Sequence, residues 1–222
     1  MKETKLLQVK DGGRYSMKGS KWWGVLIFLV LVFIDQITKL FADAYFSTPN
    51  APEKISLIPQ WIELRITYNR GISYGMGAHT SPVLKIAVIA ATGVMMAGLA
   101  ILYFKLDKHR SWLNTALVFV VGGGVGNLID RVYYRVWETG GAFGVRDMVD
   151  LSRFGFAVCN FADFFICGGA VMLVLALLFF DSSAIFPVGE KYKQLAQEEL
   201  LREEAKQAEK QAKKQAKQRE KK

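Results

Sequence analysis

The chain has 222 residues, 51% of them hydrophobic, and a formal net charge of +9. Its apolar residues gather in a few long runs, which excludes an ordinary soluble domain. The two cysteines and two histidines show no ligand spacing, so neither a disulfide framework nor a metal site is expected, and no cofactor.

Residues 1–21 form a basic arm with Lys2, Lys5, Lys10, Arg14, Lys18 and Lys21. The first apolar run extends from Trp22 to about Leu40, but its uninterrupted core, Trp22–Ile34, is short and Asp35 follows it. That core also fits the apolar part of a signal peptide, with "FADA" as a poor cleavage site. Asp35 and Lys39, i,i+4 neighbours able to pair on one face, favour an uncleaved anchor instead. In the loop 41–82, "WIELRITY" alternates apolar and polar residues. This predicts a small extracytoplasmic β-sheet between spans one and two, ending in a turn at Asn69–Gly71.

Spans two and three are expected over Val83–Phe104 and Trp112–Ile129. The third ends in "GGGVGNLIDR". Gly122 and Gly126 form a small-xxx-small pair suited to close helix packing. Asn127, Asp130 and Arg131 follow at i, i+3 and i+4 and project from one side. Next comes "VRDMVDLSRFG", with Asp147 and Asp150. An extended segment would put these acids on opposite faces, and a helical one on the same face. Periodicity does not choose between them.

Span four, Phe161–Phe180, begins beside Asn160 and Asp163, three positions apart on one helical face. Cys159 and Cys167, read as two turns apart on that helix, would be about 12 Å apart, too far for a disulfide. Both are expected to be packing residues. His79 and His109 read as surface residues. Past residue 182 the composition shifts to Glu, Lys, Gln and Ala, giving a solvated helical tail over 183–222.

The expected fold is therefore a mainly α integral membrane protein with four transmembrane helices over residues 22–182. Lysine and arginine concentrate before span one, in "KLDKHR" between spans two and three, and in the tail. Both termini are then cytoplasmic. The basic excess suits anionic lipid, and nucleic acid need not be invoked. In this topology Asp35, Asn127, Asp130, Asn160 and Asp163 gather near the extracytoplasmic face although they come from three helices. Independent helix ends would be polar on both sides, so a shared site is the better reading.

The chain offers no Ser–His or Cys–His pairing and no phosphate-binding glycine loop. Carboxylates remain. Two close carboxyls cannot both ionise readily, so the pair can act as acid and base on a bound water. A proton- or ion-coupled transporter also uses buried acids, but four spans without an inverted repeat are few for one. A structural protein with an interhelical hydrogen-bond cluster is the third alternative.

"DQITK" (35–39), "NRGISYG" (69–75), "GNLIDR" (126–131), "VRDM" (145–148) and "NFAD" (160–163) resemble, in order and spacing, the sequence boxes of bacterial lipoprotein signal peptidase. This type II signal peptidase is a membrane aspartic peptidase, and the resemblance covers residues 22–182. It implies removal of the signal peptide from diacylglyceryl-modified prolipoproteins, with cleavage just before the lipidated cysteine. It also implies a catalytic pair at Asp147 and Asp163, with water as nucleophile and no metal. Asp147 is chosen over Asp150 because the family box reads Val, any residue, Asp, then an aromatic or Met. Asp35, Lys39, Asn69, Gly71, Asn127, Asp130, Arg131 and Asn160 match positions that bind substrate or orient the site. Asp130 with Arg131, and Asp35 with Lys39, are expected to orient it. The partners implied are the lipid-modified precursor and membrane lipid, with the enzyme a monomer. The link 131–146 is longer than is usual in the family.

Overall fold

The computed structural model describes residues 21–71, 81–107, 110–138, 144–181 and 183–219. His79 and His109, the basic arm up to residue 20, and part of the link 131–146 lie outside the described residues. Among the described residues four helices are long and apolar enough to cross a membrane: α1 (Lys21–Phe46), α2 (Pro82–Lys105), α3 (Ser111–Tyr133) and α4 (Phe161–Leu178). A fifth, α5 (Glu190–Arg219), carries the charged tail. Helix α1 continues past Leu40, because Asp35 and Lys39 sit on its buried face and do not end it.

Helix α3 is the centre of the bundle, with 56% of its apolar window buried against 11–17% in the other three. Glycines make that position accessible. A Cβ on Gly122 would lie 3.2 Å from Leu31 of α1, one on Gly169 of α4 2.9 Å from the Ala116 carbonyl, and one on Gly124 would collide with Met96 of α2. Without a hydrophobic force between helices in lipid, such close backbone approach supplies the packing. Leu31, Tyr103, Leu117 and Val118 form the buried apolar cluster beside it. Large apolar side chains such as Phe33, Val94, Ile101 and Val171 remain exposed around the bundle, the outward face a bilayer would cover.

One end of the bundle carries an antiparallel four-stranded sheet in the order β1 (Ile55–Ile58), β2 (Ile62–Asn69), β3 (Val145–Asp150), β4 (Val158–Cys159). The β-sheet expected between spans one and two is present there as the antiparallel pair β1–β2. The sheet is larger than expected, because β3 and β4 come from the connection between α3 and α4. Strand β3 pairs with β2 with Thr67 opposite Asp147 and Tyr68 opposite Arg146. All of β3 except Val149 is buried. At its entry a Cβ on Gly144 would lie 2.5 Å from the Asn69 carbonyl oxygen, so only glycine admits the strand there. Cys159 stands on β4 and Cys167 on α4, both free, so they do not share one helix as expected.

Candidate active site

The C-terminal ends of α1 and α3, the N-terminal end of α4 and strand β3 meet beneath the sheet. Their polar residues form one hydrogen-bonded cluster. Asn160 is the N-cap of α4: its side chain accepts from the Asp163 N–H at 3.1 Å, and its own N–H donates to Asp163 Oδ2 at 3.0 Å. This reciprocal capping box satisfies two helix-end donors and fixes both side chains. The spacing Asn-x-x-Asp before an apolar run carries that signal, so it was legible without any resemblance. The cap leaves the Asn160 amide free to donate to Asp147 Oδ1 at 2.6 Å and to Asn127 Oδ1 at 3.0 Å. Asn127 donates in turn to Asp163 Oδ1 at 2.8 Å. Two amides thus link the two acids from β3 and α4.

Below them lie charges that water does not reach. Asp35, Lys39 and Asp130 are each 0% exposed. Lys39 Nζ lies 2.8 Å from Asp35 Oδ2, 3.7 Å from Asp130 Oδ2 and 2.9 Å from Asn127 Oδ1. Lys39 is therefore no snorkelling helix end. Asp35 Oδ1 accepts from the Ala162 N–H at 2.9 Å, joining α1 to the first turn of α4. Gly126 gives Asp35 its space, for a Cβ there would stand 2.5 Å from Oδ2. Gly122 packs helices as expected; Gly126 serves the ion cluster.

Asp130 does not take its main partner from the neighbouring Arg131. Its carboxylate is held by Arg146, through Nη2 at 2.8 Å and Nε at 3.2 Å, with the Arg146 N–H at 3.0 Å. The i,i+1 neighbours do not face each other on a helix. Half-buried Arg131 instead acts electrostatically on Asp163, Asp147 and Asp130. Arg146 and Gln36 were missed as site residues, although both lie inside quoted motifs. Asn69 accepts from the Gly71 N–H at 2.9 Å, closing the expected turn, and its side chain also hydrogen-bonds Asp147.

The two acids of β3 differ sharply. Burial, reinforced by the charge of Asp163, pushes the Asp147 carboxyl up to about 7 despite the Asn160 and Asn69 hydrogen bonds. Burial also acts on Asp150, but hydrogen bonds from Ser152 and the Arg65 charge 2.9 Å away hold it below the usual carboxylate range. Extended backbone puts the two on opposite faces, and only Asp147 joins the cluster. Burial and the acids Asp163 and Asp147 push the Cys159 thiol up to about 12, so it is no thiolate nucleophile. Among the described residues no three His, Cys, Asp or Glu side chains are grouped as metal ligands.

The decisive likeness is of the whole span: a family model described as signal peptidase (SPase) II matches residues 27–179. The chain belongs to the signal peptidase II family. The lipoprotein signal peptidase of Fusobacterium nucleatum subsp. nucleatum is 31% identical over 159 residues, covering 71% of this chain and 87% of that protein. That of Pseudomonas aeruginosa is 31% identical over 171 residues, 74% of this chain and 90% of the relative. Two solved structures described as bacterial membrane enzymes share the fold. One has a TM-score of 0.58 at 24% identity and covers 71% of this chain and 88% of its own. The other has 0.55 at 23%, covering 71% and 93%. This signal peptidase II family member is a multi-pass membrane peptidase, and the transporter reading gains no support.

Proposed function

We propose that the protein removes the signal peptide from diacylglyceryl-modified prolipoproteins, cutting before the lipidated cysteine, with Asp147 and Asp163 as the catalytic pair. The observation that carries this reading is one amide network holding two buried or half-buried acids in unlike surroundings. Asp163 accepts at both oxygens and is the base; Asp147, with its raised carboxyl, keeps a proton and is the acid. Water placed between them loses a proton to Asp163 as its oxygen attacks the scissile carbonyl carbon. Asp147 donates its proton to the carbonyl oxygen. The tetrahedral intermediate then collapses: the leaving nitrogen takes the proton from Asp163, and the hydroxyl proton returns to Asp147. Asn69, Asn127, Asn160 and Arg131 hold substrate backbone and stabilise the developing charge. Asp35, Lys39 and Asp130 orient them.

The basic flanks support a topology with both termini in the cytoplasm and the site near the extracytoplasmic face of a bacterial cytoplasmic membrane. There the acyl chains of the substrate stay in the bilayer while its cleavage site reaches the acids. The enzyme acts as a monomer, with lipid around it and no nucleic acid partner. Purified protein in detergent is expected to cleave a lipid-modified prolipoprotein before its lipidated cysteine, with or without EDTA, and to spare the unlipidated precursor. Equal cutting of the unlipidated precursor, or loss of activity in EDTA, would overturn this reading.

A further inference from the structure

Arg146 fills the position that the family box leaves open, one residue before Asp147. It is 3% exposed, and three of its N–H groups converge on the single carboxylate of Asp130. Nη2 also donates to Gln36 Oε1 at 3.3 Å, and Cζ lies 5.1 Å from the Tyr134 ring centroid. A bidentate grip of this kind fixes orientation as well as charge. We infer that Arg146 is a positioning residue for the cleavage reaction: by gripping Asp130 it sets the strand that presents Asp147 and balances the buried charge beneath the acid pair. The inference rests on the reading of Asp147 and Asp163 as that pair.

Arg146 and Asp147 are strand neighbours with side chains on opposite faces. Arg146 therefore acts on Asp147 only through others. One route is the backbone, tied by the Arg146 N–H to the end of α3. The other is a chain of contacts. Asp35, Lys39, Asp130 and Arg146 are two acids and two bases in one buried group. Without Arg146, Asp130 keeps Lys39, at 3.7 Å, and the charge of Arg131, which Asp147 and Asp163 share. A buried carboxylate that loses its two-pronged partner is costly, so Lys39 is drawn toward it. That movement takes Nζ from Asn127 Oδ1, the atom that also accepts from Asn160, and Asn160 donates to Asp147.

The charge balance has its own signature. Asp147 is faced by Asp163 from α4, Lys39 from α1, Arg131 from α3, and Cys159 from β4, with the Asn160 and Asn69 amides beside it. Asp35 and Asp130 lie behind Lys39; Asp43, which accepts from Tyr68, and Tyr134 lie on the Arg146 side. Removing the Arg146 charge leaves an extra negative charge near Asp147 and makes its ionisation harder.

The test compares Arg146→Met, Arg146→Lys and Asp147→Asn with wild type, full length in detergent, on a lipid-modified prolipoprotein. Arg146→Met should lower kcat about tenfold or more, leave KM within about twofold and move the alkaline limb of the pH profile upward by about one unit. Arg146→Lys keeps the charge but not the two-pronged grip, so the limb should stay while kcat falls about threefold. Wild-type kcat and an unmoved limb in folded Arg146→Met would overturn the inference, as would a lower thermal midpoint with nothing else changed. Where Arg146→Met does not yield folded protein, Arg146→Lys decides, and an unchanged kcat per folded molecule overturns it. An active Asp147→Asn would sink the acid pair itself. A dead Asp147→Asn beside a silent Arg146→Met sinks only the positioning role.

Discussion

Asp147 and Asp150 stand three positions apart on one strand, yet one shares a buried network with Asp163 and the other pairs with Arg65. If Asp147 and Asp163 share the catalytic proton, Asp147→Asn and Asp163→Asn should each lower cleavage at least about a hundredfold while the protein still inserts. Asp150→Asn should keep most activity. A dead Asp150→Asn with an active Asp147→Asn would move the acid to the other face of β3. Asp147 also sets a pH dependence of stability. Its carboxyl is raised from 3.8 to about 7, so between those values the folded protein holds more protons than the unfolded chain. Stability must then fall as pH rises through that window, and the full cost is present above it. The asparagine carries no such cost. Thermal midpoints in detergent should therefore match near pH 4, and Asp147→Asn should be more stable at pH 8 by up to about 4 kcal/mol. A variant less stable than wild type at both pH values would rule out that ionisation cost.

Helix α3 serves the site by being thin where the acids need room. A Cβ on Gly126 would stand 2.5 Å from Asp35 Oδ2, whereas one on Gly98 of α2 meets nothing within 4 Å. Gly126→Ala should push Asp35 off Lys39 and the Ala162 N–H, lowering cleavage about tenfold or more and the thermal midpoint with it. Gly98→Ala should leave activity unchanged and match or slightly exceed the wild-type midpoint, because alanine favours helix. Equal behaviour of the two variants in cleavage and melting assays would refute this division. The same helix shows what sequence can convey. The spans were legible because an apolar run long enough to cross a bilayer rarely serves any purpose but crossing one. The polar cluster was legible because Asn127, Asp130, Asn160 and Asp163 have no reason to sit at helix ends on one side alone. Strand β3 was not, because its period-2 signal is broken by Arg146, Asp147 and Asp150, charges whose partners lie on other elements. For the same reason the sequence sets Asp130 beside Arg131, while its bidentate partner Arg146 lies sixteen positions on.

At the scale of the molecule, the two ends of the bundle divide the work. At the sheet end are the acids; at the other, Lys21 Nζ donates to the Tyr103 carbonyl at 2.5 Å and to Asn114 at 2.8 Å. There too Arg110 pairs with buried Asp181 at 3.1 Å. These contacts tie the start of α1 to α2 and α3, and the segment after α4 to the start of α3. They require nothing from the tail beyond Gly189. Helix α5 is exposed along nearly all of its described side chains, lies outside the span that matches the family, and places no group in the cluster. Its residues favour helix, and its charges keep it in water. Truncation after Gly189 should therefore leave cleavage of a lipid-modified precursor within about twofold of the full chain, since a group that touches neither substrate nor site makes no differential contact with the transition state. Truncation after Phe180 is different. It removes buried Asp181 from its pairing with half-buried Arg110 and should lower the thermal midpoint. Measured side by side, the two truncations separate a tail that is only appended from a junction that holds the bundle. A loss of cleavage in the Gly189 truncation at an unchanged midpoint would give α5 a part in the reaction that its sequence and placement do not provide.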